Sequence, residues 1–270
     1  MHDPLRPVTG TINLADIDPR NTGEVRKEED IEKELRENQS RLYDLHYMMF
    51  AENRRSLLVV LQGVDASGKD GTVRYLAGGL NPQGCKIHSF KAPSELEIDH
   101  DFLWRIHAAC PGRGDVAIFN RSHYEEVTTV KVHPELLERQ FLPPEIMEAE
   151  DIFEKRYRQI RDFERMLAEN GTVVLKFLLH ISLKEQRERF EERIRDPKKL
   201  WKFSPQDLIE REFREQYMTA FEEMIAATST DHAPWYVIPA DRKWYRNYLI
   251  GRIVVQRLRE LDMKFPGISG

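Results

Sequence analysis

The fold is decided by the stretch Ser56-Leu-Leu-Val-Val-Leu-Gln-Gly-Val-Asp-Ala-Ser-Gly-Lys-Asp-Gly-Thr72. Its first part, 57–62, is a short and mostly apolar run, which predicts a buried strand of a parallel sheet. The glycines at 63, 68 and 71 then allow a tight turn whose backbone N–H groups can approach an anion. Lys69 adds a positive charge, and residues 73–80 predict a helix whose N-terminus faces the same anion. The stretch therefore predicts a phosphate-binding loop.

The loop departs from the usual P-loop pattern at the residue after its lysine. The spacing Gly63-x4-Gly68-Lys69 is the expected one, but Asp70 stands where a Ser or Thr normally holds magnesium. A second acid, Asp65, lies inside the loop. Carboxylates repel phosphates unless a divalent cation lies between them, so we expect Mg²⁺, with Mn²⁺ as an alternative, held by Asp65 and water. The alternative is a glycine-rich turn that binds no ligand.

Composition excludes several classes of protein. The chain has 270 residues, of which 40% are hydrophobic, and this is enough for a substantial core. A net charge of −5 argues against a general nucleic-acid binder. The two cysteines, Cys85 and Cys110, have neither metal-binding spacing nor a disulfide framework. No apolar stretch resembles a signal peptide or a membrane span, so we expect a cytoplasmic protein without a membrane partner.

Strand and helix patterns alternate along the chain. Further strands are predicted at 85–90, 115–119, 172–180 and 235–238, and helices at 25–55, 94–109, 145–170, 184–202, 204–227 and 241–261. This alternation predicts one α/β domain built on a parallel, doubly wound, five-stranded sheet. We expect residues 1–55 to form an N-terminal arm and helix, 56–181 the P-loop core, 182–230 a lid and the following helix, and 231–270 the last strand and C-terminal helix.

The first predicted helix has an apolar face formed by Ile31, Leu35, Leu42, Leu45 and Met49. A dimerising coiled coil is the alternative, but its repeat is short and Asn38 interrupts it. We therefore expect this helix to pack on its own domain. The last helix is expected to pack inward through Leu249, Ile253, Val254 and Leu258.

A second polar motif, Asn120-Arg-Ser-His-Tyr-Glu-Glu126, follows the third predicted strand. Ligands of open α/β sheets bind at the carboxyl ends of the strands, so we expect this motif to lie beside the P-loop. Arg121 offers a fork of donors that suits phosphate oxygens. Asn120 occupies the usual place of a Walker B aspartate, and its amide can orient water or phosphate but cannot neutralise a metal. We assign no chemical role to His123 or His133.

Residues 184–202 form a strongly charged segment with eight Lys or Arg residues and five acids. A solvated helix with i,i+4 ion pairs is the simplest interpretation. The segment follows a strand that ends near the phosphate site, and this position favours a basic lid that covers a polyanion.

Four motifs in order resemble the second family of polyphosphate kinases. They are 63–72, 120–126, Trp201-Lys-Phe-Ser-Pro205 and Ala233-Pro-Trp-Tyr-Val-Ile-Pro239, and the resemblance covers roughly residues 30–260. The second motif looks like that of the branch that phosphorylates both nucleoside mono- and diphosphates. The resemblance implies a thymidylate-kinase-like, three-layer α/β/α fold with a helical lid, a magnesium-dependent transferase, and a homodimer or homotetramer.

The resemblance also implies a reaction and the residues that carry it out. The reaction is reversible transfer of the terminal phosphoryl group of inorganic polyphosphate to AMP or ADP, with GMP or GDP as alternative acceptors. The implied catalytic residues are Asp65, Lys69, Asn120 and Arg121. The implied phosphate-binding residues are Gly63, Ala66, Ser67, Gly68, Lys69, Asp70, Gly71, Thr72, Arg187, Arg189 and Arg193. The implied nucleotide-binding residues are Arg121, Tyr124, Glu126 and Lys131.

Two other functions are compatible with a P-loop fold. An ATP-dependent small-molecule kinase would share the architecture, but the missing Ser or Thr after Lys69 and the basic lid disfavour it. A non-catalytic nucleotide switch is the second alternative, although the sequence lacks an Asn-Lys-x-Asp motif for reading guanine.

Overall fold

The computed structural model describes residues 2–267, which are organised around a parallel sheet. Its strands are β1 (Ser56–Gln62), β2 (Cys85–Ser89), β3 (Val116–Asn120), β4 (Thr172–His180) and β5 (Trp235–Pro239), in the order β2-β3-β1-β4-β5. Each neighbouring pair is parallel. The five predicted strands and their parallel arrangement are therefore confirmed, and β1 lies at the centre of the sheet with the P-loop at its carboxyl end.

Helices cover both faces of the sheet. They are α1 (Glu32–Glu52), α2 (Lys69–Ala77), α3 (Glu95–Ile98), α4 (Trp104–Ala108), α5 (Thr129–Val132), α6 (Glu135–Glu138), α7 (Pro144–Met147), α8 (Ile152–Glu169), α9 (Leu183–Arg195), α10 (Pro205–Glu210), α11 (Arg214–Thr228) and α12 (Lys243–Arg259). Short 3-10 turns include His123–Val127 after β3 and Leu200–Lys202 after α9. None of the helices within residues 2–267 is both long enough and apolar enough to cross a membrane.

Alternating side chains of β1 separate two hydrophobic layers. Leu57, Val59 and Leu61 are buried in one layer together with α1, α2 and α12. Leu58 and Val60 are buried in the other layer with α8 and α11. Successive strand residues point to opposite faces, so a strand covered on both sides is apolar throughout. The predicted three-layer α/β/α arrangement is confirmed.

The predicted inner faces of the first and last helices are confirmed. Ile31, Leu42 and Met49 are buried in the same cluster as Leu249 and its neighbours on α12, and α1 packs against α12 of the same chain. Leu35 and Leu45 are partly buried at the edge of this cluster. The first helix therefore uses its apolar face within its own domain, as expected.

Several predicted helices are shorter or interrupted, and local hydrogen bonds explain two of the breaks. The segment 94–109 divides into α3, closed by a capping box between Ser94 and Glu97, and α4. The carboxylate and carbonyl of Asp101 accept the N–H groups that begin α4. The lid helix ends at Arg195 because Asp196 precedes a proline and is extended. The segment 145–170 divides into α7 and α8, and α8 begins where Ile152 enters a separate apolar cluster.

Candidate active site

The P-loop connects β1 to α2, and at two of its positions the backbone has a conformation that favours glycine. Gly63 and Gly68 have φ values of +142° and +107°. A Cβ atom on Gly63 would lie 2.8 Å from the carbonyl oxygen of Leu179, and one on Gly68 would overlap Nη1 of Arg246. Helix α2 begins directly afterwards, at Lys69 rather than at 73 as predicted. Its N-terminus therefore faces the loop, as an anion site requires.

Lys69 folds back across the loop. Its side chain is nearly buried, and Nζ donates hydrogen bonds to the carbonyl oxygens of Gly63 (2.6 Å) and Val64 (3.2 Å). Burial, followed by the positive charge of Arg121, lowers the pKa of Lys69 to about 8. Both effects penalise the charged ammonium group, and a phosphate bound in the loop would offset both.

Arg121 joins the second motif to the P-loop. Its Nη2 lies 2.5 Å from Oδ1 of Asp65, and its Nη1 lies 3.2 Å from Oε2 of Glu125. The negative charge of Glu125 raises the pKa of Arg121. Burial acts in the opposite direction, and the negative charge of Asp65 raises the pKa further. Arg121 also has a left-handed backbone (φ 63°), which is uncommon for a non-glycine residue and is frequent at functional sites. The predicted catalytic pair of Asp65 and Arg121 therefore lies in direct contact.

Asn120 and Asp70 are also in contact, which gives a physical reason for the amide at position 120. Nδ2 of Asn120 donates to Oδ1 of Asp70 at 2.9 Å, and Nζ of Lys202 lies 2.8 Å from Oδ2. Burial alone would raise the pKa of Asp70, but the hydrogen bonds from Lys202 and Asn120 outweigh it and lower the pKa. An aspartate at position 120 would instead face a second carboxylate. Lys202 follows the lid helix, so the same carboxylate also ties the lid to the P-loop.

Arg189 was expected to grip polyphosphate, but the structure bonds its guanidinium to the protein. Nε donates to Glu185 at 2.8 Å. Nη1 donates to the carbonyls of Ala66 (2.9 Å) and Ser67 (3.0 Å), and Nη2 to those of Ala240 (2.7 Å) and Asp241 (3.0 Å). These bonds use all five N–H groups of the side chain. Arg189 therefore anchors α9 beneath the P-loop and has no free donor for a ligand in this conformation.

The other two predicted lid arginines lie in different surroundings. Arg187 is on the exposed side of α9, where its Nε lies 3.6 Å from Glu191. Arg193 is partly buried, and its Nη1 lies 3.0 Å from Oδ2 of Asp207 on α10. The lid cation that pairs with a P-loop carboxylate is Lys202, which the sequence placed in the basic lid without a role of its own.

Three of the predicted nucleotide-binding residues bond to other protein groups. The side chain of Tyr124 is fully buried, with its hydroxyl 2.8 Å from both Glu164 and Lys176. The carboxylate of Glu126 accepts hydrogen bonds from Arg156 and Gln140, both at 2.8 Å. Lys131 pairs with Glu223 and lies over the ring of Phe153. Of the four predicted residues, Arg121 and Glu126 line the larger of the two cavities described below.

The buried hydroxyl of Tyr124 belongs to a polar network behind the second motif. Lys176 on β4 lies 2.6 Å from Glu164 of α8 and also donates to the carbonyl of Thr228 at 2.8 Å. His123 lies 3.4 Å from Glu164, and burial lowers the pKa of its imidazole. An ion pair inside a protein is tolerated when further hydrogen bonds satisfy both partners, as here. This network holds the backbone that presents Arg121.

Two cavities meet at Arg121. A small one of about 30 Å³ lies between the P-loop and the lid, and its walls include Asp65, Asp207 and Arg214. A larger one of about 380 Å³ lies on the other side, with apolar walls that include Phe90 and Val130. Its cationic wall residues, besides Arg121, are Lys91, Arg105 and Arg139. The sequence pattern missed Arg105 and Arg139 because nothing in the residues around them distinguishes them from solvated charges.

The residues present fit a magnesium ion that is held mainly by its substrate. Within residues 2–267, no group of three or more His, Cys, Asp or Glu side chains is placed to hold a metal. Mg²⁺ commonly keeps several waters and binds one or two carboxylates together with substrate phosphates, and it does not require a cage made of protein. The carboxylate of Asp65, at the mouth of the loop, is suited to this role.

The fold and the site define a class of protein. A phosphate-binding loop after the central parallel strand, an arginine at the end of the adjacent strand and a helical lid together form the site of a P-loop phosphotransferase. Residues 25–266 match the sequence profile of polyphosphate kinase 2 (PPK2). The chain therefore belongs to the polyphosphate kinase 2 family.

Individual relatives agree with this assignment. The chain is 47% identical over 226 residues to the AMP/ADP-polyphosphate phosphotransferase of Meiothermus ruber, a match that covers 84% of this chain and 80% of the relative. It is 44% identical over 232 residues to the ADP-polyphosphate phosphotransferase of Rhodopseudomonas palustris, covering 86% and 80%. The crystal structure of polyphosphate kinase 2 from Arthrobacter aurescens TC1 superimposes with a TM-score of 0.91 at 36% identity, covering 100% of this chain and 93% of that one.

Proposed function

We propose that this protein transfers the terminal phosphoryl group of inorganic polyphosphate to a nucleotide, in a reversible reaction. The observation that carries the proposal is the position of Arg121, which contacts Asp65 of the P-loop and also lines the 380 Å³ cavity. One guanidinium can therefore face both a donor phosphate in the loop and an acceptor phosphate in the cavity. Family membership and the polyphosphate phosphotransferases among the relatives support this reaction and do not favour an ATP-dependent small-molecule kinase or a nucleotide switch.

The larger cavity is the proposed nucleotide site. Its apolar walls, which include Phe90, suit a purine base, while its cations suit the phosphates. The side chain of Arg139 forms no hydrogen bond or ion pair with residues 2–267 and is free to meet an anion there. We propose AMP and ADP as acceptors, with GMP and GDP as alternatives, on the grounds of the second motif and the names of the two relatives.

The chemistry requires positioning and charge neutralisation rather than covalent catalysis. An oxygen of the acceptor phosphate forms a bond to the terminal phosphorus, while the bond from that phosphorus to its bridging oxygen breaks. The polyphosphate leaves one unit shorter, and the acceptor oxygen is already ionised at neutral pH. Phosphoryl transfer of this kind passes through a loose, in-line transition state. Lys69 and Arg121 are proposed to hold the equatorial and bridging oxygens, and Asn120 to keep Asp70 in place.

A divalent metal ion completes the proposed site. Polyphosphate kinases of this family generally depend on one, and we propose Mg²⁺ or Mn²⁺ held by Asp65, water and the phosphates. When bound, the ion neutralises charge on the transferred group and on the leaving chain. Asp65 meanwhile orients Arg121 through their ion pair, and burial of Lys69 keeps water away from the base of the loop.

A direct assay tests the proposal. The protein is incubated with polyphosphate, Mg²⁺ and either AMP or ADP, without ATP, and the products are separated by ion-exchange chromatography. We expect ADP or ATP to form, and a metal chelator to stop the reaction. Activity only with ATP and a metabolite would identify the alternative kinase, while saturable nucleotide binding without transfer would identify a switch. Light scattering tests the prediction of a homodimer or homotetramer.

A further inference from the structure

Arg246 is a buried cation in contact with the P-loop that the sequence analysis did not identify. It lies in the first turn of α12 and its exposed fraction is 2%. A Cβ atom on Gly68 would overlap its Nη1, and one on Gly71 would lie 2.9 Å from its Nη2. The guanidinium therefore occupies the space that side chains at these two positions would fill. The glycine at position 71 is thereby explained by the close approach of a charged group rather than by a turn.

The charge of Arg246 has no partner of opposite sign within residues 2–267. Its Nε and Nη2 donate to Oδ1 of the adjacent Asn247 at 3.2 and 3.0 Å, and an amide oxygen is neutral. These bonds use two of the five N–H groups of the side chain, and the other three have no acceptor in the described part of the chain. A guanidinium group stays protonated at neutral pH, so Arg246 is a buried charge that is not compensated.

The neighbours of Arg246 increase this imbalance. Arg189 lies next to it against Gly68, and its own donors are all bonded to protein. Burial, and then the positive charge of Arg189, lowers the pKa of Arg246. The N-terminus of α2 adds further positive potential at the same place. Uncompensated positive charge beside a row of backbone N–H groups is the arrangement expected where an anion binds.

We propose that Arg246, and not Arg189, is the buried arginine that binds the phosphates of the donor chain behind the unit held by Lys69. This inference rests on the proposed function, because it takes the donor to be a polyanion in the P-loop. Low exposure does not argue against the role, since Lys69 is only 8% exposed in the same loop. Arg189 then has a different task, which is to fix the position of the loop carbonyls against which Arg246 lies.

The test compares Arg246→Gln with Arg257→Gln, a control on the same helix that removes a partly exposed arginine paired with Glu260 at 2.9 Å. Tripolyphosphate binding is measured by calorimetry, KM is measured for polyphosphate and for ADP, and Tm is measured without ligand. For Arg246→Gln we expect at least a tenfold loss of tripolyphosphate affinity, a similar rise in KM for polyphosphate, and a KM for ADP within twofold. Tm without ligand should be unchanged or higher, because an uncompensated buried charge has been removed. Arg257→Gln should leave all four quantities near those of the wild-type protein.

Other outcomes overturn the inference. If Arg246→Gln lowers Tm and leaves tripolyphosphate affinity unchanged, the residue only supports the loop. If that variant does not fold, Arg246→Met removes the charge and keeps a long apolar stem, and tripolyphosphate affinity equal to that of the wild-type protein would refute the role. If the wild-type protein neither binds tripolyphosphate nor forms ATP, the proposed function itself fails. If the wild-type protein binds tripolyphosphate and Arg246→Gln binds it equally well, only the assignment of Arg246 is refuted.

Discussion

Replacing Asn120 by aspartate should convert a hydrogen bond in the active site into a repulsion that depends on metal and pH. The Nδ2 atom of Asn120 lies 2.9 Å from Oδ1 of Asp70, so the variant places two carboxylates at hydrogen-bond distance. The side chain of Asp70 is 59% exposed, so the dielectric constant of water applies. Two unit charges at this separation then repel by about 1.4 kcal/mol, which lowers Tm by about 2–3 °C in a domain of 270 residues.

The assay is thermal unfolding of Asn120→Asp and Asn120→Ala in a metal chelator. Both variants lose the hydrogen bond, so the difference between their Tm values isolates the charge. Repulsion raises the pKa of the paired carboxylates in the folded state above the unfolded value, so the destabilisation should be complete at pH 7 and should disappear as pH falls below about 4. Mg²⁺ should restore the Tm of Asn120→Asp and leave that of Asn120→Ala unchanged.

Equal Tm values for the two variants in chelator at pH 7 would refute this reasoning. They would mean that the carboxylates move apart at no cost, and that the contact with Asp70 does not constrain the residue at position 120. A gap that persists at pH 4 would show that a steric effect, and not charge, separates the variants.

Three further predictions concern Lys69, Arg189 and Tyr124. Tripolyphosphate affinity should fall by up to tenfold per pH unit above about pH 8, because Lys69 loses its proton in the free enzyme. Calorimetry on Lys69→Ala should show a weaker dependence of this affinity on pH. The turnover of Lys69→Ala should drop at least a hundredfold. Arg189→Ala should lower the free energy of unfolding, measured in urea, by about 3 kcal/mol, because four backbone carbonyls lose their donor. It should raise KM for both polyphosphate and the nucleotide. A defect confined to polyphosphate would instead favour the role expected from the sequence. Tyr124→Phe should leave KM for ADP within twofold and lower Tm by a few degrees. The hydroxyl of Tyr124 belongs to the buried network and does not reach the nucleotide cavity, so a large rise in KM would contradict this prediction.

The fold could be predicted because the strand and helix patterns of the individual segments agree with the structure that the whole chain adopts. Four of the five strands are short, mostly apolar runs, and the exception is the edge strand β2. Each strand is followed by a helical pattern, and parallel pairing is the arrangement that such alternation permits. The P-loop and the second motif were also identified correctly as neighbours, since both follow strands whose carboxyl ends share one edge of the sheet.

The partners of individual side chains could not be predicted in the same way. Arg189 and Arg246 are both arginines in charged helices, and only their packing distinguishes the one with five bonds to protein from the one with an uncompensated charge. Tyr124 follows Arg121 closely in sequence, yet the turn after β3 directs it into the core. Lys176 lies within a predicted apolar strand, and its need for Glu164 becomes visible only when α8 packs on the sheet. Side-chain pairing between segments that are far apart in the chain leaves no periodic pattern in the sequence.

The five hydrogen bonds of Arg189 have a consequence for how the lid can move. Two of them fix the middle of α9 to the P-loop and two fix it to the segment after β5, so movement of the whole helix would break these buried bonds. The tip of the lid beyond Asp196 is instead held to Asp70 by the partly exposed side chain of Lys202. A surface pair of this kind contributes about 1 kcal/mol or less. We therefore expect the tip to separate from the P-loop more readily than the rest of α9, which keeps the loop carbonyls of Ala66 and Ser67 in place.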